Sequence, residues 1–217
     1  MPTLDHLVLA VPDLDEACAA FAKTSGVTLD SGAGPPAPFR RGGVHPGRGT
    51  HNALVGLDGG AYLELVAPHP TEPYGPGGRW MGVDLAEAPT LTRWAVRDVD
   101  LGAFAKTLHD LDPGLGELAL GERVTGDGRT LRWAMTAPRP GPTVEVLPFA
   151  LDWVGSEAHP SDALVAHCRL VALRFEHPDP KLVRRAFGRL GLGYEIGAAP
   201  RAAIRARLRT PRGEVVL

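Results

Sequence analysis

The chain has 217 residues, 44% of them hydrophobic, which is room for one large domain or two small ones and too apolar for wholesale disorder. A formal net charge of -2 and scattered arginines give no electrostatic reason to expect nucleic acid or an acidic membrane as a partner. Cys18 and Cys168 stand in neither a CxxC pair nor a zinc-finger spacing and read as reduced, buried thiols. No run approaches the roughly 18 apolar residues that cross a bilayer, and Met1 to Val11 carries no basic leader, so the cytoplasm is the expected location.

Leu4 to Val11 (LDHLVLAV) alternates as a strand, with Leu7, Leu9 and Val11 on one face and His6, Val8 and Ala10 on the other. A helix follows. Asp13 stands three residues before Glu16 at capping-box spacing, Leu14, Cys18 and Phe21 recur at helical intervals, and Gly26 sits where a left-handed cap ends a helix. HNALVGL and AYLELVA, joined at Asp58-Gly59-Gly60, form a β-hairpin signal. The Gly- and Pro-rich stretches 32–49, 68–90 and 152–163 read as loops. GGVHPGRGTHN, within and just past the first of them, lacks the Lys-Ser/Thr ending of a phosphate loop.

The same grammar returns twice, which gives an α+β chain built on a repeated strand–helix–strands unit. Ala95 to Asp100 (AVRDVD) lines up with Ala10 to Asp15 (AVPDLD), and a helix runs on through Leu111. GELALGERV, a turn at Gly126-Asp127-Gly128, TLRWAMT and TVEVLPF supply later strands. A third copy starts at LVALRFEHPDP, where His177-Pro178-Asp179 matches Val11-Pro12-Asp13. Its helix KLVRRAFGRLGL places Leu182, Ala186, Phe187 and Leu190 on one side, and RAAIRARLRT and GEVVL close it as strands.

Strand parity locates the polar chemistry. His6 points away from the helix-packing face. Leu63 and Leu65 pack beneath the helix, which turns Tyr62, Glu64 and Val66 to the side of His6. If Val144 and Val146 pack inward, Glu145 faces away with Thr143 and Leu147. A curved sheet then gathers His6, Glu64 and Glu145 on one concave surface, a donor set suited to Mn, Fe, Ni, Co or Zn with positions left open for substrate oxygens. A lone strand histidine is more often just hydrogen-bonded. Yet Glu64 and Glu145 each interrupt an apolar strand, and a buried carboxylate demands a partner.

LDHLVLAVPDLDEA, GVHPGRGTHNALVGL, AYLELVAP and LPFALDWVGSEAHPS together resemble the glyoxalase-like family of the vicinal oxygen chelate superfamily over most of residues 3–165. The resemblance implies paired βαβββ modules, 3–67 and 90–149, whose sheets form an open, mostly antiparallel cup within residues 1–150. A linker at 151–163 and a third, partial module at 164–217 follow. It further implies metal ligands from the first and last strands of each module, here His6, Glu64 and Glu145. The metal would bind neighbouring substrate oxygens and stabilise an enolate or oxyanion. One position departs from the pattern: counting back from Ala95 puts Leu91 where relatives carry His or Gln.

By the same register Arg93 faces the cup, either to clamp a substrate carboxylate or phosphate or to neutralise Glu64 or Glu145. Tyr62 and Trp153 are expected along the apolar wall. His51 is the best substitute ligand, although strict hairpin register pairs Leu54 with Glu64 and turns His51 outward; His167 is a more remote one and His159 reads as a loop residue. Ala172 replaces His6 in the third copy, whose expected role is to cover a sheet edge, extend the sheet or form a homodimer interface. Two functional readings follow. One is a metal-dependent lyase, isomerase or dioxygenase acting on a small oxygenated metabolite. The other is a metal-free protein that binds or sequesters a small molecule. A scaffold without a ligand would leave the polar cup residues without a purpose.

Overall fold

A computed structural model of the chain describes residues 1–30, 34–124, 128–153 and 155–217. The first module runs β1 (Thr3–Ala10), α1 (Leu14–Ser25), β2 (Leu29–Asp30), β3 (Phe39–His45), β4 (Thr50–Gly56) and β5 (Tyr62–Pro68). The second runs β6 (Thr90–Arg97), α2 (Leu101–Leu111), β7 (Leu118–Val124), β8 (Thr130–Thr136) and β9 (Phe149–Asp152). These strands form one nine-stranded sheet in the order β2-β3-β4-β5-β1-β6-β9-β8-β7. The two modules meet through antiparallel β1 and β6. Within each, the last strand lies parallel to the first, with Val8 beside Glu64 in one and Ala95 beside Phe149 in the other.

The local signals explain the helices. Asp13 accepts from the Glu16 N–H and Asp100 from the Ala103 N–H, which satisfies otherwise unpaired donors of each first turn. Gly26 ends α1 at φ 76°, a conformation that costs glycine little. Leu14, Cys18 and Phe21 are the buried face of α1, and Phe21 packs edge-on against Phe39 of β3. Both cysteines are free and buried.

Several expectations are corrected. β3 lies inside the stretch read as a loop. Its Gly42-Gly43 pair hides the strand pattern and marks a bulge between Arg41 and Val44. Residues 143–148 form no regular strand, so Glu145 is not a strand residue. Instead the Arg93 guanidinium gathers the carbonyls of Thr92, Arg139, Pro142 and Thr143 and holds that segment irregular. The turn expected at Gly126-Asp127-Gly128 lies, but for Gly128, outside the described residues. No helix is long and apolar enough to cross a membrane among the described residues.

The third unit comprises β10 (Arg169–His177), α3 (Pro180–Arg189), β11 (Glu195–Ala198), β12 (Ala203–Thr210) and β13 (Gly213–Val216). It is βαβββ in sequence, but its sheet order is β11-β10-β12-β13, so β11 pairs with β10 directly after the helix. α3 buries Ala186 and Phe187 as expected, and Leu190 just after it is buried too; only Leu182 departs, being exposed while Val183 takes the core position beside it. The unit closes the main core. Trp94 of β6 is fully buried, with its ring 4.7 Å from Phe175 and 5.0 Å from Tyr194 and its indole N–H on the Val146 carbonyl. The opposite face of the nine-stranded sheet carries a second, smaller cluster that includes Val8, Ala10, Val66, Ala95 and Phe149.

Candidate functional site

The polar site sits among that second cluster, on the inner side of the curled sheet. Alternation along β1 and β5 brings His6 and Glu64 to it, both buried, with His6 Nε2 3.5 Å from Glu64 Oε2. Neither side chain came there unaided. At the start of β1 the pairing with β6 jumps from Leu4–Val96 to His6–Ala95, and the bulge re-aims Asp5 beside its neighbour. Asp5 Oδ1 lies 2.6 Å from His6 Nδ1. Its other oxygen takes the Trp153 indole N–H at 2.9 Å and faces His159 Nε2 at 3.0 Å and Arg97 at 3.5 Å.

Glu64 Oε1 accepts from Asn52 Nδ2 at 2.6 Å and lies 3.4 Å from His45 Nε2. Asn52 is itself fixed because its Oδ1 takes the Gly43 N–H, in space that a side chain at Gly42 would fill. His45 is anchored through Nδ1 to Thr50 Oγ1. Tyr62 stacks on His6 with ring centroids 4.7 Å apart, and Phe149 meets the imidazole edge-on at 5.3 Å. The imidazole is thus held on three sides. Its Nε2 is left buried and without a hydrogen-bond partner.

The remaining expected site residues lie elsewhere. Glu145 is bound to Arg139 at 2.8 Å and to the Leu147 N–H, next to Arg93 and away from His6. Arg93 is buried with both its Nη groups on backbone carbonyls, so they clamp a chain segment rather than a ligand. Leu91 does not face the cup. Pairing jumps from Val8–Arg93 to Leu9–Leu91, and the bulge turns Leu91 into the main core. His51 pairs with Ala67 on the helix side of the hairpin and meets His69, not the site. His167 is exposed. Sequence reasoning missed Asp5 and His45 and left His159 in a loop. The Gly42-Gly43 pair was the one available signal for the Asn52–Glu64 contact.

The cavity that His6, His45, Asn52 and Glu64 line has a free volume of about 50 Å³. Its walls are mostly apolar, with Trp80, Met81, Trp133, Met135 and Phe149 among them, and Arg123 supplies its cationic side chain. Burial by itself would raise the Asp5 carboxyl, but hydrogen bonds from His159 and His6 hold it far below the usual carboxylate range. Burial likewise acts to raise Glu64, and the His45 hydrogen bond, the His6 and His45 charges and the Asn52 amide outweigh it, lowering it from 4.5 to about 2.

A carboxyl depressed on folding stabilises the fold above its unfolded pKa and loses that contribution as pH falls through the folded value. For Glu64 the loss should therefore run from about pH 4.5 down to about pH 2. Urea midpoints at pH 6, 4 and 3 should fall more steeply for the wild type than for Glu64→Gln; equal slopes would remove Glu64 from this role.

Among the described residues no group of three or more His, Cys, Asp or Glu side chains is arranged to hold a metal ion. His6 and Glu64 supply two convergent donors, while Glu145 is committed to Arg139 and Leu91 is apolar and turned away. That donor set is short of the three protein ligands usual for a resident catalytic metal.

The model of a family described as a glyoxalase-like domain matches residues 4–191. Among solved structures, a hypothetical protein from Staphylococcus aureus superposes with a TM-score of 0.63 at 12% identity, over 94% of this chain and 88% of its own, and so shares the fold. Methylmalonyl-CoA epimerase from Mycobacterium tuberculosis aligns at 22% identity with a TM-score of 0.41, over 68% of this chain and 85% of that one. A single-residue variant of the Streptomyces coelicolor methylmalonyl-CoA epimerase, in complex with 2-nitronate-propionyl-CoA, aligns at 18% identity with a TM-score of 0.43, over 72% and 97%. No curated protein is similar enough in sequence to count as a relative.

Proposed function

The chain belongs to the glyoxalase-like family of the vicinal oxygen chelate superfamily, and from that membership we propose that it is an enzyme moving a proton at the carbon beside a carbonyl of a small oxygenated metabolite, with His6 as the proton-transfer group. The observation that carries this reading is the buried Nε2 of His6, without a hydrogen-bond partner, on a residue that lines the cavity. Asp5 accepts a hydrogen bond from the His6 Nδ1–H and so keeps the proton on Nδ1, which leaves the Nε2 lone pair free to accept one. The imidazolium that forms lies between Asp5 and the ionised Glu64, so the charge is stabilised where it develops. Glu64, lowered to about 2, is too weak a base for the proton transfer itself and acts through its charge. The apolar walls exclude water from the reacting carbon.

Divalent metals serve many members of this superfamily, but two donors are a short set here, and the reading needs none. The test is exchange of protons for deuterium beside the carbonyl of hydroxyacetone and of pyruvate in D2O, followed by proton NMR. The wild type should accelerate exchange over buffer, and His6→Gln should lose about 10²- to 10⁴-fold of the rate. Exchange no faster than buffer with both compounds would overturn the reading. So would near-stoichiometric manganese, iron, nickel, cobalt or zinc, resupplied after mild chelation and lost in both His6→Ala and Glu64→Ala, because those residues would then be ligands.

A further inference from the structure

Arg123 is the one side chain of this cavity whose placement the proton-transfer scheme does not use. It projects from β7, the last strand at one end of the nine-stranded sheet, and lines the cavity with His6 and Glu64. Its guanidinium reaches across to β3, near the other end: a Cβ on Gly43 would lie 2.8 Å from Arg123 Nη1. The two rims of the curled sheet therefore meet at this arginine, over a glycine that leaves room for it. Among the described residues no hydrogen bond or ion pair engages the guanidinium, although it is half-buried. By contrast Arg93 and Arg139 are spoken for by carbonyls and carboxylates.

A half-buried guanidinium that lines a cavity and makes no hydrogen bond or ion pair to a described residue suits an anionic ligand group, since its planar fork matches a carboxylate. We propose, resting on the reading of His6 and Glu64 given above, that the substrate is a small monoanionic carboxylate with a carbonyl or hydroxyl next to it, its carboxylate held by Arg123 at the mouth. The charge balance selects a monoanion over phosphate. Glu64 is in the cavity wall and Asp5 directly behind His6, so a second negative charge on the ligand would face two carboxylates with a single arginine to offset them. The free volume of about 50 Å³ limits the part that enters to a few heavy atoms. The aromatic walls of Trp80, Trp133 and Trp153 accept its carbon chain.

Quenching of tryptophan fluorescence by pyruvate, hydroxyacetone and inorganic phosphate tests this, with variants first matched to wild type by thermal melting. Pyruvate should bind wild type and weaken at least tenfold in Arg123→Met, with part of the loss restored in Arg123→Lys. Hydroxyacetone, which lacks the carboxylate, should bind both alike, and phosphate should bind at least tenfold more weakly than pyruvate. Gly43→Ala, which displaces only the end of a flexible side chain, should weaken pyruvate alone. The proposal is overturned if wild type does not bind pyruvate, if Arg123→Met binds it undiminished, or if phosphate binds as well through the same arginine. Binding reads no chemistry, so the two readings fail separately. Arg123-dependent binding without proton exchange sinks the catalytic role of His6 alone. Hydroxyacetone exchange with Arg123-independent pyruvate binding sinks the carboxylate subsite alone.

Discussion

Asp5→Asn should leave the protein folded and slow proton exchange by about 10²- to 10⁴-fold, whereas Asp5→Ala should cost about 3–5 kcal/mol of stability. Asp5 has no exposure to solvent and serves His6, Trp153, His159 and Arg97 at once. Asparagine keeps the shape but loses the charge that fixes the Nδ1 proton of His6, so the imidazole can turn its lone pair to the wrong side. Alanine also strands the Trp153 N–H and leaves His6 and His159 without their anion, and unpaired buried groups of this kind are costly. Exchange rates and chemical denaturation on both variants separate the two effects. An Asp5→Asn protein that exchanges at the wild-type rate would remove Asp5 as the positioning residue, and a fully stable Asp5→Ala would mean that its partners re-pair.

The second large effect belongs to Trp94. Trp94→Ala should destabilise the chain by about 3–5 kcal/mol, because a large side chain leaves a cavity in a packed interior. For a domain of this size that is roughly 10 °C in melting temperature. The lost contacts are those to Phe175, Phe187 and Tyr194, through which the third unit is docked, together with the hydrogen bond to the Val146 carbonyl. Trp94→Phe keeps a ring there and should lose far less. A calorimetric melt in which the alanine variant falls by under 2 °C would mean that the unit is held mainly by other contacts.

The sequence makes visible whatever rests on unbroken periodicity. The caps at Asp13, Asp100 and Asp179 and the alternation in β1 and β5 are local, so the helices and the shared face of His6 and Glu64 follow from them. Bulges are the opposite case. One inserted residue reverses parity, which is why parity alone puts Leu91 in the cup and overlooks Asp5, and the bulge at Gly42-Gly43 conceals β3 and with it His45. Glu145 misleads for another reason. TVEVL alternates like a strand, but a distant guanidinium, that of Arg93, captures the carbonyls of Pro142 and Thr143, and no local pattern announces a competitor for the backbone. Arg93 itself resembles a ligand group because an arginine within a strand reveals nothing about what its donors will find.

The route of the chain also bears on how the protein is made. All nine strands of the main sheet have been synthesised by Asp152, yet His159, which completes the Asp5 cluster, comes after it, and the rings that cover Trp94 come later still, at Phe175, Phe187 and Tyr194. A nascent chain leaving the ribosome thus carries a finished set of strands with an uncovered indole on one face and an unfinished carboxylate cluster on the other. Folding of the first two modules is completed only when the last quarter of the chain arrives.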